Sequence, residues 1–184
     1  MRMLVFIIML LSLPVSGFAV ETYDSVLFEG SAPITVDGDL SEWSELSLTA
    51  PQLLLDDSNS PEPPVDENDF SATFQCCADL EYVYVAVNIK DDKLVYGEER
   101  LGKAFHDDSV FIHFLNGRKE HSRSTIVIAL DEFGKEKLEY YENPVNLRYP
   151  YVWEALGVKA VYRQVTGGYA VEAAIPHRAL GQTD

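Results

Sequence analysis

The sequence predicts an all-β domain, an antiparallel β-sandwich of jelly-roll-like character. Three observations carry that expectation. β-Branched and aromatic residues recur at every second position in several separate runs, the period of a half-buried strand. The last two runs are joined by Thr166-Gly167-Gly168, a short loop with the glycines a hairpin turn requires. No long helical period separates the runs, so facing sheets, not helices, must bury the apolar positions.

The elements follow in chain order. Arg2 gives a short positive start, and residues 4–11 read LVFIIMLL, an unbroken apolar run. Pro14 interrupts it, and Gly17-Phe18-Ala19 offers small residues at −3 and −1 of a cleavage site after Ala19. This layout predicts a secretory signal peptide over residues 1–19 and a mature domain over 20–184. The run is far short of the roughly 20 residues a membrane span needs. The expected location is secreted or periplasmic, with no membrane insertion of the mature chain.

Without residues 1–19, 165 of the 184 residues remain, enough for one domain with its own core. Arg2 is the only charge removed, which leaves 13 basic residues against 30 acidic ones, a net −17. That balance argues against nucleic acid and anionic membrane surfaces as partners. It suits divalent cations, which take oxygen ligands.

Residues 40–46 predict a short helical turn capped by Asp39 or Ser41. Residues 55–69 (LDDSNSPEPPVDEND) read as a long loop, either a solvated surface loop or a cation-binding one, without EF-hand spacing. Cys76 and Cys77 are adjacent and must point to opposite faces of a strand. A strained vicinal disulfide is one option; the preferred one is a buried thiol beside a thiol nearer the surface. Strands are expected around residues 82–89, 109–115, 125–130, 158–165 and 169–175, and a proline-started turn over 176–180.

Catalytic signals are scarce. His106, His113, His121 and His177 sit in no zinc-protease helix, and no Gly-x-Ser-x-Gly turn or phosphate-cradling loop is present. His113 reads as a packed strand residue. His106-Asp107-Asp108 is a polar cluster before a strand, a weak basis for a metal hydrolase. The mature chain has no methionine, so a haem electron carrier would have to use two histidines.

Three segments in order carry a more specific signal. They are Ile34-Thr35-Val36-Asp37-Gly38-Asp39-Leu40-Ser41-Glu42-Trp43; the strand from Leu80 that runs into Lys90-Asp91-Asp92, followed by Asp107-Asp108-Ser109-Val110; and Gly168-Tyr169-Ala170-Val171-Glu172-Ala173-Ala174-Ile175-Pro176. Over residues 34–180 the chain resembles the family 9 carbohydrate-binding modules. The resemblance implies a non-catalytic β-sandwich, usually a part of an exported polysaccharide-degrading protein and so one that can be attached to a glycoside hydrolase. It implies that polysaccharide or oligosaccharide is held by stacking on aromatic rings, with calcium fixing loops. Carried over residue by residue, Glu42, Asp91 and Asp108 become the expected metal ligands, and Trp43 a core residue.

At the sugar site the chain departs from the family pattern. Phe105 stands where a tryptophan precedes the Asp-Ser-Val motif, and Phe111 replaces an acidic residue that bonds sugar hydroxyls. The family's second tryptophan belongs to strands beyond the position of Asp184, so the domain is expected to lack its C-terminal strands here. Phe105 with Tyr151 and Trp153, from the cluster that includes Tyr149, are the candidate sugar platforms. A structural or sensory ectodomain that has lost sugar binding is the alternative.

Overall fold

The computed structural model describes residues 25–46, 70–95, 108–115, 123–130, 135–142, 147–148 and 156–180. Among these residues, nine strands and one short helix run in the order β1 (Val26–Leu27), α1 (Ser41–Glu45), β2 (Phe70–Ala78), β3 (Tyr82–Asp91), β4 (Val110–Leu115), β5 (Arg123–Leu130), β6 (Glu136–Glu142), β7 (Leu147–Arg148), β8 (Lys159–Val165) and β9 (Gly168–Pro176). A 3-10 turn over His177–Leu180 follows. The strands form two sheets, ordered β1-β2-β3-β9-β8 and β4-β5-β6-β7. Every pairing is antiparallel except β1 with β2, a two-residue parallel edge.

The alternation in sequence becomes the face of the core. Ala72, Phe74 and Cys76 of β2, Val83, Val85, Val87 and Ile89 of β3, and Tyr169, Val171, Ala173 and Ile175 of β9 point inward. They meet Val110 and Ile112 of β4 and Ile126, Ile128 and Leu130 of β5. Each fully buried aliphatic side chain contributes roughly 1.5–3 kcal/mol by leaving water. The long strands sit centrally because both neighbours pair along their length: Val87 lies opposite both Phe74 and Val171.

The outer face of the five-stranded sheet is also covered, and this was not foreseen. The segment before and through α1 lies across it as a strap. Ala32 and Trp43, with Ile34, Val36 and Leu40, pack on Cys77, Tyr84, Ala86 and Ala174. The strap corrects the expectation for the cysteines. Cys76 faces the inner core and Cys77 the outer one, so both thiols are free and buried. Neither is nearer the surface, because the outer face is itself an interior.

Two further elements differ from expectation. β6 went unread because Glu136-Lys137-Leu138-Glu139-Tyr140-Tyr141-Glu142 carries a single aliphatic residue. The helix starts later than expected, with Leu40 at the cap position and no side-chain cap bond there. Asp39 nevertheless accepts the Ser41 N–H at 3.1 Å, and Asp37 accepts the Asp39 N–H at 2.8 Å, a run of Asx turns that leads the chain into α1. The β8–β9 hairpin turns where it was expected, with Gly167 at φ 76°. Gly168 is required by contact: a Cβ there would lie 2.0 Å from the Ile89 carbonyl oxygen.

Candidate functional site

Two buried carboxylates fasten the strap. Glu172 stands in the middle of β9, on the outer face, and is fully buried. Its Oε1 accepts the Trp43 indole N–H at 2.7 Å. Its Oε2 accepts the backbone N–H groups of Asp37 at 3.0 Å and Gly38 at 2.7 Å. Burial pushes the Glu172 carboxyl above its ordinary range, against the pull of these three donors. Donors at both oxygens need acceptors at both, which the ionised carboxylate supplies.

Asp79, in the turn between β2 and β3, does the same at the strap's start. Its Oδ2 accepts the Ala32 N–H at 3.0 Å and the Tyr84 hydroxyl at 2.9 Å. Its Oδ1 accepts the N–H groups of Glu81 and Tyr82, both at 2.8 Å. Burial raises this carboxyl, but the four hydrogen bonds outweigh burial and hold it below the usual range. Glu172 was legible as the single acid in the apolar run of β9, which is the signal that could have found it, whereas Asp79 reads as an ordinary turn acid.

A second polar feature lies where β3 ends and β4 begins. Asp91 accepts the Lys93 N–H at 2.8 Å, and its own N–H donates to Gly167 O at 3.1 Å. Asp108 pairs with Val95 in both directions: its N–H donates to Val95 O at 2.8 Å, and its Oδ2 accepts the Val95 N–H at 2.5 Å. The chain leaving one sheet is thereby pinned to the chain entering the other. Both carboxylates act on Tyr162 and Tyr169, whose rings stack at 4.6 Å and 10°. Burial pushes both phenols well above their ordinary value, and the Asp108 and Asp91 charges add to it. The Tyr162 hydroxyl is buried without a hydrogen-bond partner among the described residues.

Of the residues expected to bind metal, Asp91 and Asp108 therefore share one rim. Glu42 does not join them. It sits in the strap, where Oε1 accepts the Thr35 N–H at 3.0 Å, and its charge acts on Glu172. No group of three His, Cys, Asp or Glu side chains placed to hold a metal occurs among the described residues. The donors at the rim fit calcium in kind, since they are carboxylate oxygens, and fall short of its shell of about six to eight oxygens. The expected sugar platforms Phe105, Tyr151 and Trp153 lie outside the described residues, as do residues 1–19, the 55–69 loop, His106, His121 and Tyr149. Phe111 packs on Val127 and Ala129. His113 Nδ1 lies 2.8 Å from the Thr125 hydroxyl, a packed strand residue as expected. No helix among the described residues is long and apolar enough to cross a membrane.

The described residues thus form a β-sandwich with a strapped outer face and an acidic rim where β3 ends and β4 begins. The family model for the carbohydrate family 9 binding domain-like proteins matches residues 36–184. The chain belongs to that family. Two solved structures are similar, both of a family 9 carbohydrate-binding module from Caldicellulosiruptor kristjanssonii. The one in complex with cellotriose is 16% identical, with a TM-score of 0.48, covering 83% of this chain and 67% of that one. The one in complex with glucose is 14% identical, with a TM-score of 0.46, covering 83% of this chain and 69% of that one. No curated protein matches.

Proposed function

We propose that the domain is a non-catalytic carbohydrate-binding module that works outside the cytoplasm. The observation that carries this reading is the family match over residues 36–184. Sugar is held by aromatic stacking at Phe105, Tyr151 and Trp153, where a pyranose face meets a ring. The domain itself performs no reaction; it concentrates a partner hydrolase on polysaccharide. Calcium binds at the Asp91–Asp108 rim and steadies the junction between the sheets. Export rests on Arg2, the apolar run over residues 4–11 and the small residues before position 20.

Calorimetry tests the central claim. Glucose and cellotriose are the first probes, titrated into the purified mature chain with calcium and with a chelator. Heat with at least one neutral saccharide supports the proposal, and Trp153→Ala should then weaken it at least tenfold. No heat with any saccharide in either condition overturns it. The place of calcium is read separately: Asp108→Asn should abolish the rise in melting temperature that added calcium gives.

One observation favours a second reading. The family's acidic sugar contact is replaced by Phe111, and this side chain is packed against Val127 and Ala129. A structural ectodomain without sugar affinity gains if every saccharide titration is silent while the fold is intact.

A further inference from the structure

The strap covers only part of the outer face. It ends on the row of the sheet that holds Glu172, where Asp37 and Gly38 donate to that carboxylate. The next row across β3, β9 and the edge strand β8 is open: Asn88, Ala170 and Arg163 lie side by side in register. One row further come Lys90, Gly168 and Val165. The floor is therefore made of the two smallest side chains, Ala170 and Gly168. Its walls are Asn88 and Lys90 on one side and Arg163 and Val165 on the other. With strands about 4.8 Å apart, these walls stand about 10 Å from each other, wide enough for a sugar ring. Asp39 and Leu40 of the strap close the upper end and Thr166 flanks the lower one, around a cavity of 730 Å³.

We propose that this trough is a binding site for a carboxylate-bearing saccharide, separate from the aromatic site. Its lining contains no aromatic ring, so a neutral sugar would find no stacking surface there. It contains one cation, Arg163, with Lys90 one row beyond Asn88 on β3, in a chain of net charge −16. Asn88 and Arg163 line the cavity and make no hydrogen bond or ion pair among the described residues, so their donors are uncommitted. Arg163 is nonetheless positioned. Gly38, at φ +79°, lies so close that a Cβ there would be 2.8 Å from the Arg163 Cβ and 3.1 Å from its Cδ. The stem is thus laid against the strap's backbone, and the guanidinium is carried beyond it with its planar fork available to a carboxylate. Lys90 adds charge across the floor, while the Asn88 amide and the Asp39 carboxylate suit sugar hydroxyls.

The test is a titration of the mature chain at 0.15 M salt, where the Debye length of about 8 Å screens distant carboxylates but not a contact pair. The probes are a galacturonate trimer, its methyl ester and triglutamate. The trimer should bind, and the methyl ester should bind at least tenfold more weakly, as should triglutamate. Arg163→Ala should cost the trimer at least tenfold in affinity. Asn88→Asp, which leaves the core untouched and adds a negative charge to the wall, should do the same. Cellotriose in excess should not displace the trimer, which separates this site from the aromatic one. Silence with every neutral saccharide beside an Arg163-dependent trimer would leave this site standing and remove the other. No trimer binding, equal binding of trimer and ester, equal binding of triglutamate, displacement by cellotriose, or full affinity in both variants would overturn the proposal.

Discussion

The Trp43 indole N–H donates to Glu172 Oε1 at 2.7 Å, and both side chains are entirely withdrawn from solvent. One bond thus joins the strap to the centre of the five-stranded sheet. The apolar contact of Trp43 with Cys77, Tyr84 and Ala86 and the polar contact with Glu172 depend on each other. The ring excludes water from the carboxylate, and the carboxylate satisfies the ring's only donor.

Replacement of Glu172 by Gln should destabilise the domain by about 2–3 kcal/mol. The amide offers one acceptor oxygen, so its NH2 must face at least one of the donors now satisfied at Asp37, Gly38 or Trp43. Trp43→Phe removes one of those donors and leaves a smaller deficit. Urea unfolding of both variants and of the pair would measure this, and the double variant should be more stable than the sum of the single losses implies. Strict additivity would show that the bond carries no coupling.

Asp79 and Glu172 should shape acid stability in opposite directions. The Asp79 carboxyl is held below its unfolded value of about 3.9, so its contribution is complete above that pH and is lost as pH falls. The Glu172 carboxyl is raised above about 4.3, so its contribution is complete below that pH and is lost as pH rises through the folded value. Asp79→Asn should flatten the acid limb below pH 4. Glu172→Gln should raise stability at pH 7 relative to pH 4.5 compared with the unaltered chain. Urea midpoints at pH 3, 4.5 and 7 report both effects.

On the alkaline side the tyrosines decide. Burial raises the phenols of Tyr84, Tyr162 and Tyr169, with Asp79 acting on the first and Asp108 and Asp91 on the other two. Above about pH 10 the unfolded chain releases these protons and the folded chain keeps them, so stability falls as pH rises. Each contributes up to about 1.4 kcal/mol per pH unit. Tyrosinate absorbance should therefore lag in the folded domain and then rise in step with unfolding. Free titration of all tyrosines before unfolding would contradict the burial of these three.

The two thiols should be inert in the folded state. Burial pushes the Cys77 thiol up to about 12, with the neighbouring Cys76 and Asp79 adding to it, and burial also raises Cys76. A thiol-reactive dye should label neither at pH 7.5 in buffer and both in urea. Fast labelling of Cys77 in buffer would show that the strap does not seal the outer face.

Much of the sandwich was legible because β3, β5 and β9 alternate without interruption, and a buried face leaves no other register. The strap was not. Trp43 could be recognised as a core residue, but nothing in the alternation of β2 or β9 shows that the second face is also covered. Glu172 sits where a solvent-facing residue is expected, and its burial depends on a segment more than a hundred residues away. Asp91 and Asp108 were singled out by motif, and the fold brings their charges onto the same two tyrosines. Glu42 came from the same motif set but belongs to another layer. The trough at Asn88 and Arg163 was invisible, because it exists only through the pairing of both strands with β9.

The strap also sets an order of events. A chain made from its N-terminus presents Trp43 129 residues before its partner on β9 exists. At roughly 5–20 residues per second, that is about 6–26 s of synthesis in which the indole has no acceptor and the strap no sheet to lie on. The first described segment of the chain must therefore be among the last to settle, and closure of the outer face waits for the final hairpin.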